Sequence, residues 1–250
     1  MDRIAKDTGI IILAAGKGTR MKSERAKVLH EILGKPMISY VLKTAVGISN
    51  ANVIVVVGHQ AEEVKSAISS DFQNISFAYQ EKQLGTGHAV MCALPYLKHH
   101  IKQIVILCGD VPMIKSDSIV SLISKNLLEG YDISVLTVEM KNPTGYGRIM
   151  LGSDGNIIDI VEEADASPEQ KKNRMVNSGV YCINTNDLKL FLNDLKPNNA
   201  QGEYYLTDVV KAGNRLNKKI GLVLSENANE TIGINDIQTL QLVESLMKSS

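Results

Sequence analysis

The chain has no excess charge of either sign. Its 250 residues carry 27 Lys plus Arg against 27 Asp plus Glu, a formal net charge of zero. That excludes a broad electrostatic footprint for nucleic acid or an anionic lipid surface, so any anion site must be local. Cysteine is sparse. Cys92, Cys108 and Cys182 stand far apart with no CxxC pair, which excludes a zinc knuckle and a dithiol redox motif. Lone cysteines in apolar runs fit a reducing compartment, where they pack as small hydrophobes. No stretch approaches the ~18 apolar residues of a membrane span, and the apolar run before Gly16 is too short for a signal-peptide core. Internal repeats and low-complexity linkers are also missing. The expectation is a soluble cytoplasmic chain with no nucleic-acid or membrane partner and no readable protein partner.

What is present is alternation. Short β-branched runs recur: "IIIL" from Ile10, "VIVVV" from Val53, "ISFAY" from Ile75 and "IVIL" from Ile104. Near-continuous runs of this kind predict strands buried on both faces. Helix-like stretches lie between them: "PMISYVLKTAVGI", "QAEEVKSAI", "GHAVMCALPYL" and "SDSIVSLISKNLLEG". Pro36 suits a first helical turn, Ser116 or Asp117 an N-cap, and Gly130 a helix stop. The rhythm predicts an α/β fold with a Rossmann-like, doubly wound, mostly parallel sheet.

After about Tyr131 the pattern changes to a smaller mixed region. "DISVLTVEM" reads as a strand, and "GYGRIMLGSDGNIIDIVEE" as two strands joined at Ser153-Asp154-Gly155-Asn156. "DASPEQKKNRM" reads as helical, "SGVYCI" as a strand, "EYYLTDVVKAGNRLN" as a helix and "IGLVL" as a strand. A terminal helix follows, capped by Asn235 or Asp236. This predicts one unit, 1–250. A first lobe would occupy about 1–130, a smaller mixed lobe 131–235 and a terminal helix 236–250.

The loop "LAAGKGTRM" follows the first predicted strand, at the sheet's carboxyl edge, where α/β folds bind ligands. It fails GxxxxGK[ST], because Thr19 and Arg20 follow Gly18. It fails GxGxxG, because Met21 stands where the third glycine belongs. Ala14, Ala15, Gly16 and Gly18 nevertheless let backbone amides approach a phosphate. Arg20 adds a planar fork and Lys27 a point charge.

"LAAGKGTRM…AKVLHEILGKPMI" resembles the signature of the sugar-1-phosphate nucleotidyltransferases. The likeness continues through "QLGTGHA", "GDVPMI", "PTGYGRI", "VEEAD", "VNSGVY" and "NNAQGEYYLTD". In that order the motifs are similar to the uridyltransferase half of the bacterial bifunctional uridyltransferase/acetyltransferases. The chain departs from the pattern at Ala26, where the family usually has proline, and at Cys108, where many members have tyrosine. It also lacks the tandem hexapeptides of a β-helix, so no acetyltransferase domain is expected.

The resemblance implies an enzyme that uses UTP and N-acetylglucosamine-1-phosphate to make pyrophosphate and UDP-N-acetylglucosamine, a precursor for peptidoglycan and cell-wall biogenesis. The cofactor implied is Mg²⁺, held by Asp110 and Asn235. Arg20 and Lys27 would be catalytic. Leu13, Ala14 and Gly16 would offer backbone to the uridine, and Gln80, Gly85 and Thr86 would read the uracil. Gly147, Glu162 and Asn177 would receive the sugar, and Asn235 would touch substrate as well as metal. His88 reads as structural, and His99-His100 as a solvated turn. No set of residues suggests a covalent intermediate, and an anionic sugar phosphate (second pKa ~6) needs no general base. The alternatives are a uridylyltransferase for another sugar phosphate, such as glucose-1-phosphate, and a nucleotide-sugar sensor without turnover.

Overall fold

The apolar runs form strands and the amphipathic stretches between them form helices. The structure, a computed structural model, describes residues 2–49 and 52–249. In chain order come α1 (Asp2–Asp7), β1 (Thr8–Leu13), β2 (Glu31–Ile32), β3 (Lys35–Pro36), α2 (Met37–Ile48), β4 (Val53–Val57) and α3 (Ala61–Ser69). They are followed by β5 (Ile75–Tyr79), α4 (Thr86–Ala93), β6 (Gln103–Cys108), α5 (Ser116–Glu129) and β7 (Ile133–Glu139). The remainder gives β8 (Arg148–Leu151), β9 (Ile157–Val161), β10 (Met175–Asn184), α6 (Thr185–Asp194), α7 (Asp208–Arg215), β11 (Ile220–Leu224) and α8 (Ile237–Lys248).

One sheet runs in the order β11-β7-β10-β6-β1-β4-β5, with β8 joined to β10 and β9 joined to β8. On the main path only β10 runs against its neighbours β6 and β7. The other pairings are parallel. Helices cover both faces, so the sheet is doubly wound. Along β1, Ile10 and Ile12 join one core with α2, α3 and α5, while Ile11 joins the other with α4, α6 and α7. This is the two-sided burial that β-branched runs predict. Among the described residues, no helix is long and apolar enough to cross a membrane.

Several local expectations are corrected. β5 lies at the sheet edge, and its Tyr79 is exposed. The Lys65 ammonium sits 4.1 Å from the centre of the Tyr79 ring, a charge that guards the edge. Pro36 pairs with Glu31 in the β2–β3 ladder, and α2 begins one residue later. Neither Ser116 nor Asp117 caps α5. Lys115 occupies the cap position without a side-chain cap, and Glu230 ties the helix start to a distant segment by accepting from the Lys115 amide (3.3 Å) and the Ser118 hydroxyl (2.7 Å). Gly130 does end α5, in the left-handed region at φ 65°.

The predicted helix over "DASPEQKKNRM" shrinks to one 3-10 turn, Gln170–Lys172. Ser167 and Gln170 exchange reciprocal side-chain-to-amide bonds of 2.8 and 3.2 Å, a capping box with no helix to follow. Asn173 then donates to Ile149 O and accepts from Met175 N, turning the chain into β10. The helix expected over "EYYLTDVVKAGNRLN" begins only at Asp208. The residues before it lie across the start of α4, where the Tyr204 carbonyl accepts from Gly87 N and the Thr86 hydroxyl from Leu206 N.

Candidate functional site

The carboxyl ends of β1, β4 and β6 meet the opening loop. A cleft of about 540 Å³ lies there, lined by Leu13, Ala14, Gly16, Lys27, Gln80, Gly85, Thr86 and Asp110 among others. A second hollow of about 200 Å³ shares Leu13, Thr86, Cys108 and Asp110 with it and adds Gly147, Glu162, Asn177 and Asn235. Every expected site residue except Arg20 lines one or both. Arg20 stands at the rim, tied in by its guanidinium, which donates to Asn235 Oδ1 at 2.8 Å.

The loop's donors differ from the expected set at one place. The Ala14 amide is already bonded to Val56 O at 2.9 Å, so it extends the sheet and is not available to a ligand. The amides of residues 15–18 make no hydrogen bond within the described protein. Consecutive unbonded N–H groups at a strand tip form an anion-binding concavity. A Cβ on Gly16 would meet nothing within 4 Å, leaving room for a ligand. At Gly18 (φ +64°) a Cβ would lie 2.5 Å from the Cβ of Lys27, so glycine is what lets the lysine pass beneath the loop. Ala26, the missing proline, keeps φ at −51°, a value proline also adopts.

Asp110 and Asn235, far apart in sequence, converge on one cationic atom. The Lys27 ammonium donates to Asp110 Oδ2 and, at 2.7 Å, to Asn235 Oδ1. Asp236, not Asn235, caps α8: its Oδ1 accepts from the Thr239 amide and hydroxyl, both at 2.8 Å. The Asn235 amide is thereby left to the site. A backbone bond from Ile234 N to Asp110 O (2.9 Å) fixes the two segments together.

Met21 is buried with Ile32, Met37, Ile234 and Val243 in a small separate core. This is why the third glycine of a dinucleotide loop is replaced. The loop anchors sideways instead of closing into a helix.

At the cleft's inner wall, Gln80 is only 3% exposed. Its Nε2 donates to Gly85 O at 2.9 Å and lies 3.0 Å from His88 Nδ1. Gly85 adopts φ +108°, and a Cβ there would come 2.6 Å from Tyr204 O.

In the second hollow, β10 shifts register between Asn177 and Tyr181. The irregularity opens the sheet, a common device beside functional sites. Asn177 N donates to Gly147 O at 2.9 Å, which sets both residues beside Glu162. A Cβ on Gly147 would come 3.5 Å from Glu162 Oε2. Burial pushes the Glu162 carboxyl above its usual range. The Thr207 hydroxyl, donating at 3.2 Å, opposes this, and Asp165 and Asp208 add to it. Cys108 opens into both hollows, and burial pushes its thiol up to about 12. It stays a neutral thiol, close under the backbone of Gly179.

Sequence reasoning missed one residue. Arg148 is 1% exposed; it donates to Glu163 at 2.7 Å and to Tyr146 O. Glu163 also accepts from Gly145 N at 3.2 Å. This pairing divides the acids of "VEEAD": Glu163 clamps the loop and Glu162 faces the hollow. His88, read as structural, meets the Gln80 amide at 3.0 Å, a contact that no local pattern displays. Among the described residues, no cluster of three or more His, Cys, Asp or Glu could hold a metal ion. Asp110 and Asn235 are a sparse pair, which suits an ion that keeps water and takes few protein ligands.

Comparison with known proteins fits this geometry. A nucleotidyl transferase family model matches residues 10–227. The chain is 44% identical over 234 residues to the bifunctional protein GlmU of Acetivibrio thermocellus, covering 94% of this chain and 50% of that one. It is 42% identical over 246 residues to the GlmU of Caldicellulosiruptor saccharolyticus, covering 98% and 53%. The chain thus spans about half the length of these curated relatives. A Bacillus anthracis crystal structure described as a glucose-1-phosphate thymidylyltransferase superimposes with TM-score 0.73 at 18% identity, covering 97% of this chain and 96% of that one. That likeness establishes the fold. With its family match running from the first strand through residue 227, the chain belongs to the nucleotidyl transferase family.

Proposed function

We propose that the chain transfers a uridylyl group from UTP to N-acetylglucosamine-1-phosphate, giving UDP-N-acetylglucosamine and pyrophosphate. The observation that carries this reading is the junction of two hollows at a single carboxylate, Asp110. One hollow offers unbonded amides and cations suited to a triphosphate. The other offers a carboxylate, an amide and a close glycine suited to sugar hydroxyls. The bifunctional GlmU relatives support the choice of substrates. By this reading residues 1–130 serve the nucleotide, 131–235 the sugar, and 236–250 the terminal brace, in a cytoplasmic enzyme that feeds cell-wall synthesis.

The sugar phosphate is dianionic near pH 7, with a second pKa of ~6, so its oxygen attacks the α-phosphorus without a general base. The pyrophosphate leaves in line. The obstacle is anion–anion repulsion, and catalysis is positioning plus electrostatics. The amides of 15–18 hold the phosphate chain. Lys27 and Arg20 neutralise the charge that grows on the leaving group. Asp110 and Asn235 would hold Mg²⁺, which supplies further charge neutralisation when bound. Their oxygens already converge on the Lys27 ammonium, so the pair can host a cation.

The test is pyrophosphate release measured across UTP, CTP and dTTP with several sugar phosphates, with and without Mg²⁺. Preference for UTP, N-acetylglucosamine-1-phosphate and Mg²⁺ is expected. Preference for glucose-1-phosphate overturns the sugar assignment. Binding without turnover in every combination overturns the enzyme assignment.

A further inference from the structure

We propose that His88 acts as a positioning residue. It locks the side-chain amide of Gln80 so that only the carbonyl oxygen Oε1 is offered to the cleft. The cleft then reads nucleobases that present a hydrogen-bond donor at that point. This rests on the reading above that Gln80 meets the base.

The argument is one of donor counting. A glutamine amide has two N–H donors on Nε2 and lone pairs on Oε1. The Gly85 carbonyl, 2.9 Å from Nε2, can only accept, so it fixes which end of the amide is nitrogen. His88 Nδ1 lies 3.0 Å from the same nitrogen. Facing a donor, Nδ1 must accept, so the ring proton sits on Nε2. The Cys92 sulfur, one helical turn further along α4, lies 3.9 Å from Nε2 and 4.0 Å from Nδ1, so the Gln80 contact alone sets the tautomer. Burial raises the Cys92 thiol, so the sulfur beside the ring is neutral.

Both amide hydrogens of Gln80 are thereby spent on the protein. Oε1 receives no hydrogen bond from the described residues, and Gln80 lines the cleft. A flipped amide would set oxygen against the Gly85 carbonyl and the Nδ1 lone pair together. Without His88, one amide hydrogen loses its partner and the flip is opposed at only one contact.

The experiment compares His88→Leu, which removes the acceptor, with His88→Asn, whose Oδ1 replaces Nδ1 as acceptor. His88→Leu is expected to raise KM for UTP about tenfold, the size of one hydrogen bond lost. KM for the sugar phosphate and kcat should stay within about threefold, and His88→Asn should recover most of the loss. His88→Met repeats the test with a more adaptable chain should His88→Leu fail to fold. In a Gln80→Leu background, His88→Leu should add nothing further to KM for UTP, because it acts through that amide. ¹⁵N-resolved NMR of the unsubstituted protein should show His88 as the Nε2–H tautomer.

Additive losses, no recovery with asparagine, or the Nδ1–H tautomer overturn the proposal. An unchanged KM for UTP in Gln80→Leu overturns the base-reading role of Gln80 and this inference with it. A raised KM in Gln80→Leu beside an unchanged one in His88→Leu overturns this inference alone.

Discussion

The two hollows on either side of Asp110 use opposite materials. The larger is walled by backbone and small residues: amides 15–18, the open face of Gly16 and the crossing of Gly18 over Lys27. The smaller is walled by side chains with buried charge: Glu162 on Thr207, and behind the wall Arg148 on Glu163. A backbone site is built as soon as the strand ends and the loop turns. A side-chain site needs every partner in place, because an unpaired buried charge is expensive. Damage to the first should reach turnover without costing much stability. Damage to the second should cost stability as well.

Asp110→Asn strikes the shared residue and should have the largest effect. A fall in kcat of about 10²–10³-fold is expected, comparable to losing one preorganised electrostatic group. Steady-state assays across a Mg²⁺ titration check it. A kcat unchanged at every Mg²⁺ concentration would remove Asp110 from the chemistry.

Glu163→Ala tests the charged wall. It strands a buried guanidinium, though Arg148 keeps its carbonyl partners and Glu163 is partly exposed. The expected cost is about 2–3 kcal/mol, below the usual range for a broken buried pair. Thermal unfolding should show a Tm lower by ~2–4 °C per kcal/mol, and KM for the sugar phosphate should rise while KM for UTP holds. Equal rises in both would erase the contrast.

Gly18→Ala tests the backbone wall. It forces a side chain into the left-handed region, at about 1–2 kcal/mol, and against Lys27. Turnover should fall more than Tm does, which parallel kinetics and unfolding would show.

Glu162→Gln should have the smallest effect on folding, and of opposite sign. Burial raises this carboxyl above its ordinary 4.5. Its ionisation therefore costs the folded state, and the associated stability is lost as pH rises through the raised value. The glutamine variant should unfold at a higher temperature than the parent at pH 7. The gap should close as pH falls toward 4.5, while sugar-phosphate binding weakens at neutral pH. A gap independent of pH would place its origin elsewhere.

How much of this was legible in the sequence follows the same division. The strands, the parallel sheet and the opening loop are contiguous, so periodicity and glycine spacing displayed them. The assignment of Asp110, Asn235 and the sugar residues came through family resemblance. What stayed hidden was decided by partners far along the chain. The start of α5 is tied down by Glu230, more than a hundred residues downstream. The choice between Asn235 and Asp236 as cap depends on which side chain reaches Thr239 and which reaches Lys27. The Ala14 amide looked free because its acceptor, Val56, belongs to another strand. Ser167 and Gln170 carried a genuine helix-start signal, but Asn173 and the pull of β10 ended it after one turn.

The small core of Met21, Ile32, Met37, Ile234 and Val243 joins the loop bearing Arg20 to the segment bearing Asn235 and to α8. It packs apart from the two large cores of the sheet and is smaller than either, so it is expected to open before them. The amides of α8 and of the Arg20 loop should then exchange hydrogen together, ahead of the central strands. A protease nick in α8 would erode the site while the sheet stayed folded.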